Sequence, residues 1–262
     1  MSSDEPSSRQ SARDATYFDG WYAEMETSTV KDAILARNLA LPADLGSPGV
    51  LHWDAIEEII QELCLPLGGV LVDLACGRGG YGIEVARRTG ATLIGVDFSA
   101  VALEQARAIA ARRLPVGQAE FRVATLTDTG LAAAVADGVM CTDSVQFAEP
   151  PVAAMREIHR VLRPSGRVAL TAWQAAAAGD PRVGPRLSRF DIEADLRAAG
   201  FHDVVVEDRP RWRAAERGIW AEALVTPNED NDLALASLQE EGKRSLETFD
   251  ALRRVIALAS AA

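Results

Sequence analysis

Lysine is almost missing from this chain. Only Lys31 and Lys243 occur, so arginine supplies nearly all of the 27 basic side chains. Those are outnumbered by 38 acidic ones, and the formal net charge is −11. A field of that sign repels phosphate backbones and anionic lipid surfaces, so neither nucleic acid nor a membrane is an expected partner. Cysteine is scarce too: Cys64, Cys76 and Cys141 are odd in number and widely spaced, which excludes a disulfide framework and a CxxC metal pair. The three histidines, His52, His159 and His202, lack ligand spacing with one another or with the cysteines, so no metal is expected. Long apolar runs are also lacking. No stretch approaches the roughly 20 residues that span a bilayer, and residues 1–13 are polar and acidic where a secretory signal is basic and then apolar. A cytoplasmic protein is the expectation.

What is present suits an ordinary globular chain: 262 residues, 48% of them apolar and 25% charged. At about 150 residues per domain this favours one large domain with an accessory lid. Residues 1–13 are rich in Ser, Pro and charge, and read as a disordered tail. Residues 14–65 read as an N-terminal helical cap. It carries the aromatic cluster Tyr17, Phe18, Trp21 and Tyr22 at i, i+4 spacing, a Pro/Gly break (LPADLGSPG) and the amphipathic stretch Asp54–Leu63. From residue 66 to 262 short apolar runs alternate with amphipathic segments, the pattern of strand–helix–strand units around a mainly parallel sheet. Strands are expected at 69–75, 91–97, 119–124, 137–142, 167–173, 201–208 and 253–260. Helices are expected at 80–88, 100–112 behind the N-cap Ser99, 151–162 and 191–199, with RPSG (163–166) as a turn. Residues 210–250 are charged, helix-prone and carry Trp212 and Trp220; they read as a helical lid inserted before the last strand.

The chemistry-bearing segment is Val72-Asp73-Leu74-Ala75-Cys76-Gly77-Arg78-Gly79-Gly80-Tyr81-Gly82 at a strand-to-helix junction, followed by Asp97 at the tip of the next strand. Glycines let the backbone turn sharply there, and the helix start presents unpaired N–H groups. A carboxylate at the second strand tip, eighteen residues after Gly79, can accept both hydroxyls of a ribose, so a nucleoside cofactor is indicated. Gly77, Gly79 and Gly82 also spell the G-x-G-x-x-G dinucleotide fingerprint, which keeps an NAD(P)- or FAD-dependent oxidoreductase as an alternative. Asp73 separates the two readings: a carboxylate at the first strand end opposes a pyrophosphate but welcomes the ammonium group of a sulfonium amino acid.

With VDLACGRGG (72–80), GVDFS (95–99), CTDSVQF (141–147) and REIHRVLRPSGRVALT (156–171) in this order, the chain resembles the class I S-adenosylmethionine-dependent methyltransferases, small-molecule type. The resemblance covers about residues 69–208. It implies an α/β, doubly wound, seven-stranded, mainly parallel sheet of the Rossmann-like methyltransferase fold with a helical cap, its last strand antiparallel. It also implies S-adenosyl-L-methionine as cofactor, with Asp73, Ala75, Cys76, Gly77 and Gly79 around the methionine moiety. Asp97 would hold the ribose, Phe98 would flank adenine, and Cys141 and Thr142 would line the cofactor through backbone groups. The sequence departs from the family pattern at Ala75, where glycine is usual, and at Thr125, where Asp or Asn often meets the adenine amino group; Thr125 or the Leu126 backbone is the substitute contact.

For methyl transfer the protein mainly has to align nucleophile, methyl carbon and sulfur. Asp143 and Gln146, just past the fourth strand, are the leading candidates for orienting an acceptor; turn formation is their bland alternative. His52, beside Trp53, is the one histidine placed to serve as a base. Tyr17 and Tyr22 are candidates for closing the site and contacting the sulfonium through their ring faces, with simple lid packing as the alternative. CTDS stands where the branch that methylates exocyclic adenine or amide nitrogens carries an Asn/Asp-Pro-Pro-Tyr motif. The expected partner is therefore a small-molecule acceptor with an O, N or C nucleophile, as in specialised metabolite biosynthesis. Self-association into a homo-oligomer stays open. A methyltransferase fold that serves as a cyclase or a binding module without methyl transfer is the third reading.

Overall fold

The computed structural model describes residues 18–20, 22, 28–42, 45 and 49–262. Seven strands form one sheet: β1 (Val70–Leu74), β2 (Thr92–Asp97), β3 (Ala119–Val123), β4 (Ala136–Thr142), β5 (Leu162–Ala175), β6 (His202–Asp208) and β7 (Leu252–Ser260). Their order is β3-β2-β1-β4-β5-β7-β6, parallel except for β7, which runs antiparallel to both of its neighbours. β1, β2 and β4 sit in the middle, apolar on both faces, as strands covered by helices on each side must be. β3 lies at an edge and buries little beyond Phe121.

The helices divide between the two faces. One apolar layer holds α2 (Asp54–Leu63), α3 (Gly80–Thr89) and α4 (Ala100–Arg113) against Leu71, Leu93, Met140 and Ala169. The opposite layer packs α5 (Pro151–Val161) and α7 (Ile192–Ala198) against Val72, Leu74, Val139 and Leu170. A single turn, α6 (Pro185–Ser188), precedes α7. The alternation of side chains along each strand thus decides which residues face which layer. Asp73, Thr171 and Arg254 belong to the face that carries α3.

Three further helices lie over that face: α1 (Thr29–Leu39), α8 (Pro210–Val225) and α9 (Leu233–Thr248). They come from distant parts of the chain and are stitched together by polar contacts. Ser28 caps α1 and donates its hydroxyl to Asp232, itself the N-cap of α9. Asn38 Nδ2 donates to Glu222 of α8 at 2.6 Å. Gly218 lets α8 come close to α1, since a Cβ there would meet Asn38 Oδ1 at 2.4 Å. Trp220, Ile219, Trp212 and Leu235 fill the space beneath.

The segment expected as a turn at 163–166 is taken up inside β5. The strand pairs Leu162 with Ala136 and next Arg167 with Gly138, so extra residues bulge out between two ladder positions. Ser165 takes a left-handed backbone (φ 64°) to allow this.

Among the described residues Trp220 is the largest fully buried side chain. Trp220→Ala is expected to lower unfolding stability by about 3–5 kcal/mol through the cavity it leaves, read as a shifted denaturant midpoint.

Candidate active site at the carboxyl edge of the sheet

β1 runs into a turn where Ala75, Gly77 and Gly79 all adopt left-handed backbone conformations, with φ of 52°, 50° and 75°. Only glycine does this without cost; an alanine there pays roughly 1–2 kcal/mol, which is the physical reason glycine suits position 75. The turn is tied to β2 at two points. Cys76 N donates to Val96 O at 3.0 Å, and Gly77 N donates to Asp97 Oδ2 at 2.8 Å. Asp97 Oδ1 accepts from Ser99 N at 2.8 Å, so each of its oxygens holds one backbone amide and keeps acceptor capacity toward a ribose hydroxyl.

Asp73 is buried, 2% exposed, and accepts a hydrogen bond from the backbone of Gly82 in the first turn of α3. Gly82 is required for that approach: a Cβ there would meet Asp73 Oδ2 at 2.3 Å. The third glycine of the G-x-G-x-x-G spelling thus lets α3 pack closely on β1, and the side chain it meets there is a carboxylate. Asp73 Oδ1 has no hydrogen-bond partner. Burial first, and the nearby charge of Asp97 second, push the Asp73 carboxyl up to about 8. Burial raises Asp97 as well, against the hydrogen bonds from Ser99, Gly77 and Phe98. A pair of buried acids with one free oxygen at a helix start fits a cationic amino-acid tail, and it opposes a pyrophosphate at the same place. S-adenosylmethionine fits: Asp73 would face its ammonium end and Asp97 its ribose, and the bound group supplies an electrophilic methyl on a sulfonium.

Phe18, Asp19 and Tyr22 lie across the same edge. The Phe18 ring meets Phe98 edge-on at 5.4 Å between centroids, and the Asp19 carboxylate accepts from the Ser99 hydroxyl. Gln105 Nε2 donates to the carbonyl of Tyr22 at 3.3 Å. The Tyr22 hydroxyl stands over Gly77, 2.6 Å from where a Cβ would be, and burial raises its pKa. Tyr17 lies outside the described residues.

On the other side of the turn, β4 brings Cys141 level with Leu74, and Cys141 is fully buried. Thr142 closes the strand, and Asp143 follows with a left-handed backbone (φ 59°). Its carboxylate is taken up on two sides: the Thr171 hydroxyl donates at 2.7 Å, and both terminal nitrogens of Arg254 donate, one of them at 2.6 Å. Gln146 is buried and donates to the Asp143 carbonyl at 2.7 Å, while its own Oε1 is unpaired. His52 is buried at the start of α2, where its Nδ1 accepts from Asp54 N at 3.2 Å and burial lowers its pKa. Its neighbour Leu51 exchanges hydrogen bonds with the Tyr81 hydroxyl, at 3.0 and 3.1 Å. Thr125 Oγ1 accepts from Asp128 N at 3.1 Å just past β3, and Leu126 packs on the second apolar layer. Among the described residues there is no group of three side chains that could hold a metal.

Sequence reasoning passed over Arg254 and Glu216. Arg254 is fully buried near the start of β7, between Asp143 and Glu216 of α8. The signals were present: an arginine followed by an unbroken apolar run, and a glutamate at i+4 from Trp212 and i−4 from Trp220 on a helix.

Residues 72–170 match the family model described as a methyltransferase domain. The chain is 29% identical over 249 residues to nocamycin O-methyltransferase from Saccharothrix syringae, an alignment covering 81% of this chain and 87% of that one. Two O-methyltransferases from Aspergillus sclerotiorum and Penicillium expansum match over shorter stretches, and the chain spans only 43% and 55% of their lengths. Among solved structures, phosphoethanolamine N-methyltransferase 2 of Haemonchus contortus in complex with S-adenosyl-L-methionine superposes with a TM-score of 0.71 at 18% identity, over 93% of this chain and 60% of that one. The 4+2 cyclase SpnF superposes with a TM-score of 0.66 at 23% identity, over 79% and 80% of the two chains. Over residues 72–170 the chain carries a methyltransferase domain, and it is similar to S-adenosylmethionine-dependent methyltransferases.

In the free protein Asp73 keeps its proton up to about pH 8, whereas in the unfolded chain it loses it near pH 4. Folded protein then binds more protons than unfolded between those values, so stability falls as pH rises through that window. A cationic ligand selects the ionised carboxylate. Affinity for S-adenosylhomocysteine is therefore expected to rise from pH 5.5 to 7.5 by up to about tenfold per unit, and calorimetry on Asp73→Asn should show that slope gone.

Proposed function

We propose that this protein transfers a methyl group from S-adenosylmethionine to an oxygen of a small organic acceptor, in specialised metabolite biosynthesis. The observation that carries the reading is the unpaired Asp73 Oδ1, buried at the glycine turn with Asp97 close by. It calls for a cation and accounts for the donor side. The oxygen nucleophile rests on the named O-methyltransferases among the relatives. Cap helices α1 and α2, with α8 and α9, would cover an acceptor of limited size. Asp73, Ala75, Cys76, Gly77 and Gly79 would surround the methionine part, Cys141 and Thr142 would border it, Phe98 would flank adenine, and Thr125 or Leu126 would meet the adenine edge. Tyr22 would close the site over Gly77. Asp143 and Gln146 would shape the acceptor side by holding Arg254 and the β4 tip in place, and His52 would serve the entrance rather than the reacting atoms.

The likeness to SpnF supports a second reading, rearrangement of a bound acceptor without methyl transfer. Incubation with methyl-labelled S-adenosylmethionine and a panel of small hydroxylated acceptors tells them apart. Label in the product together with stoichiometric S-adenosylhomocysteine is expected; an isomerised acceptor of unchanged mass contradicts methyl transfer. Asp97→Asn should weaken S-adenosylhomocysteine binding by about tenfold, or 1.4 kcal/mol. Stabilisation of the fold by NADH or FAD, and not by S-adenosylhomocysteine, would overturn the reading.

A further inference from the structure

Past the glycine turn, five elements converge on one charged cluster under the lid. Asp143 comes from the tip of β4, Thr171 and Trp173 from β5, Arg254 from β7, Tyr81 from the first turn of α3, and Glu216 from α8. Trp173 and Arg254 are ladder partners at the carboxyl edge of β5. Asp143 begins one residue beyond β4, whose Cys141 is level with Leu74, so the cluster starts beside the turn that carries Gly77 and continues beneath the lid helix.

The hydrogen bonds within it are distributed unevenly. Arg254 gives both terminal nitrogens to Asp143. Its Nε lies 3.5 Å from Glu216 Oε2 and makes no hydrogen bond. Glu216 is 5% exposed; its Oε1 accepts from Trp173 Nε1 at 3.2 Å, and its Oε2 faces Arg254 Nε as an ion pair but accepts no hydrogen bond. Leaving a buried polar atom unpaired is costly, and two acids around one arginine leave one negative charge over when both are ionised. An apolar side chain would fill this place on α8 at lower cost. Glu216 sits on the remaining Nε side of the guanidinium, but its Oε2 stays at 3.5 Å without a hydrogen bond, so that oxygen keeps acceptor capacity.

We propose that Glu216 is the proton acceptor for the nucleophile, with Oε2 receiving the hydrogen of an acceptor hydroxyl as that oxygen is methylated. The role rests on the oxygen-acceptor reading above. In the step, the acceptor oxygen forms its bond to the methyl carbon while the carbon–sulfur bond breaks and its electron pair stays on sulfur. The O–H proton moves to Glu216 Oε2. The positive charge on sulfur and the negative charge on the carboxylate vanish together, so a buried, water-poor site ends neutral where it began as a separated pair. Trp173 Nε1 and Arg254 fix the carboxylate, and Asp143 fixes Arg254.

The same cluster explains how the base is kept idle without the donor. Burial raises Glu216 to about 8, the charges of Asp143 and Glu241 add to that, and Arg254 and Trp173 oppose it; Tyr81 faces the cluster from α3. A sulfonium nearby favours the ionised form, and the neutral thioether of the product does not.

Two arms test the proposal on the full chain. In the first, carboxyl carbon-13 resonances are followed against pH in complexes with S-adenosylmethionine and S-adenosylhomocysteine, the Glu216 signal being assigned by its loss in Glu216→Gln. A lower midpoint in the sulfonium complex is expected; equal midpoints overturn the assignment. In the second, methylation of phenol and of 4-nitrophenol is compared at pH 8. The first needs a base and the second is already ionised. Glu216→Gln should lose at least a hundredfold on phenol and under tenfold on 4-nitrophenol, with unchanged S-adenosylhomocysteine affinity, and Glu216→Asp should recover part of the loss. Equal losses on both phenols remove the base role alone. Wild-type protein that methylates neither removes the oxygen-acceptor reading and the base role with it.

Discussion

The site depends on a carboxylate held with one oxygen satisfied and the other open. Asp73 reaches that state because Gly82 has no side chain, so the acid can press against the first turn of α3 and take a backbone amide there. On the proposed reading the helix start, which would otherwise be a seat for phosphate, becomes a seat for a cation. The turn at 75–79, the grip of Asp97 on Gly77 and the placement of Cys141 beside Leu74 all serve to keep that carboxylate dry and fixed. Stability is spent in doing so, since a buried acid forced to hold its proton is a cost that binding of the donor removes.

A second buried acid repeats the arrangement on the proposed acceptor side. Glu216 also has one oxygen engaged and one open, and it too is raised by burial. The two sites differ in their support. Asp73 is anchored by backbone within a short stretch of chain, whereas Glu216 is carried on α8 and steadied by Arg254 from β7. The proposed acceptor side joins one covering helix to three strands of the sheet, and the proposed donor side lies within β1, β2 and the start of α3.

The donor half was legible in the sequence because its parts are local. Strand, glycine turn and helix follow one another within residues 69–89, and Asp97 terminates the next strand. The seven strands were legible for the same reason, each being a short apolar run between turns. The acceptor half was not. Asp143 read as an open carboxylate, yet Arg254, 111 residues further on, occupies both of its oxygens. Only the antiparallel pairing of β7 with β5 brings them together, and no local pattern encodes that register. The turn at 163–166 was legible as a turn but not as a bulge within β5, because its backbone groups find partners only across the sheet. Gly82 was legible as a glycine that mattered, though the spelling around it suggested a different ligand from the one its neighbours accommodate.

The most direct test of the central claim is infrared difference spectroscopy of S-adenosylhomocysteine binding near pH 6.5. A protonated buried carboxyl has a carbonyl band that a carboxylate lacks. The loss of such a band on binding, present in the wild type and absent from Asp73→Asn, is the predicted result. An identical band loss in Asp73→Asn, or none in the wild type, would contradict the account.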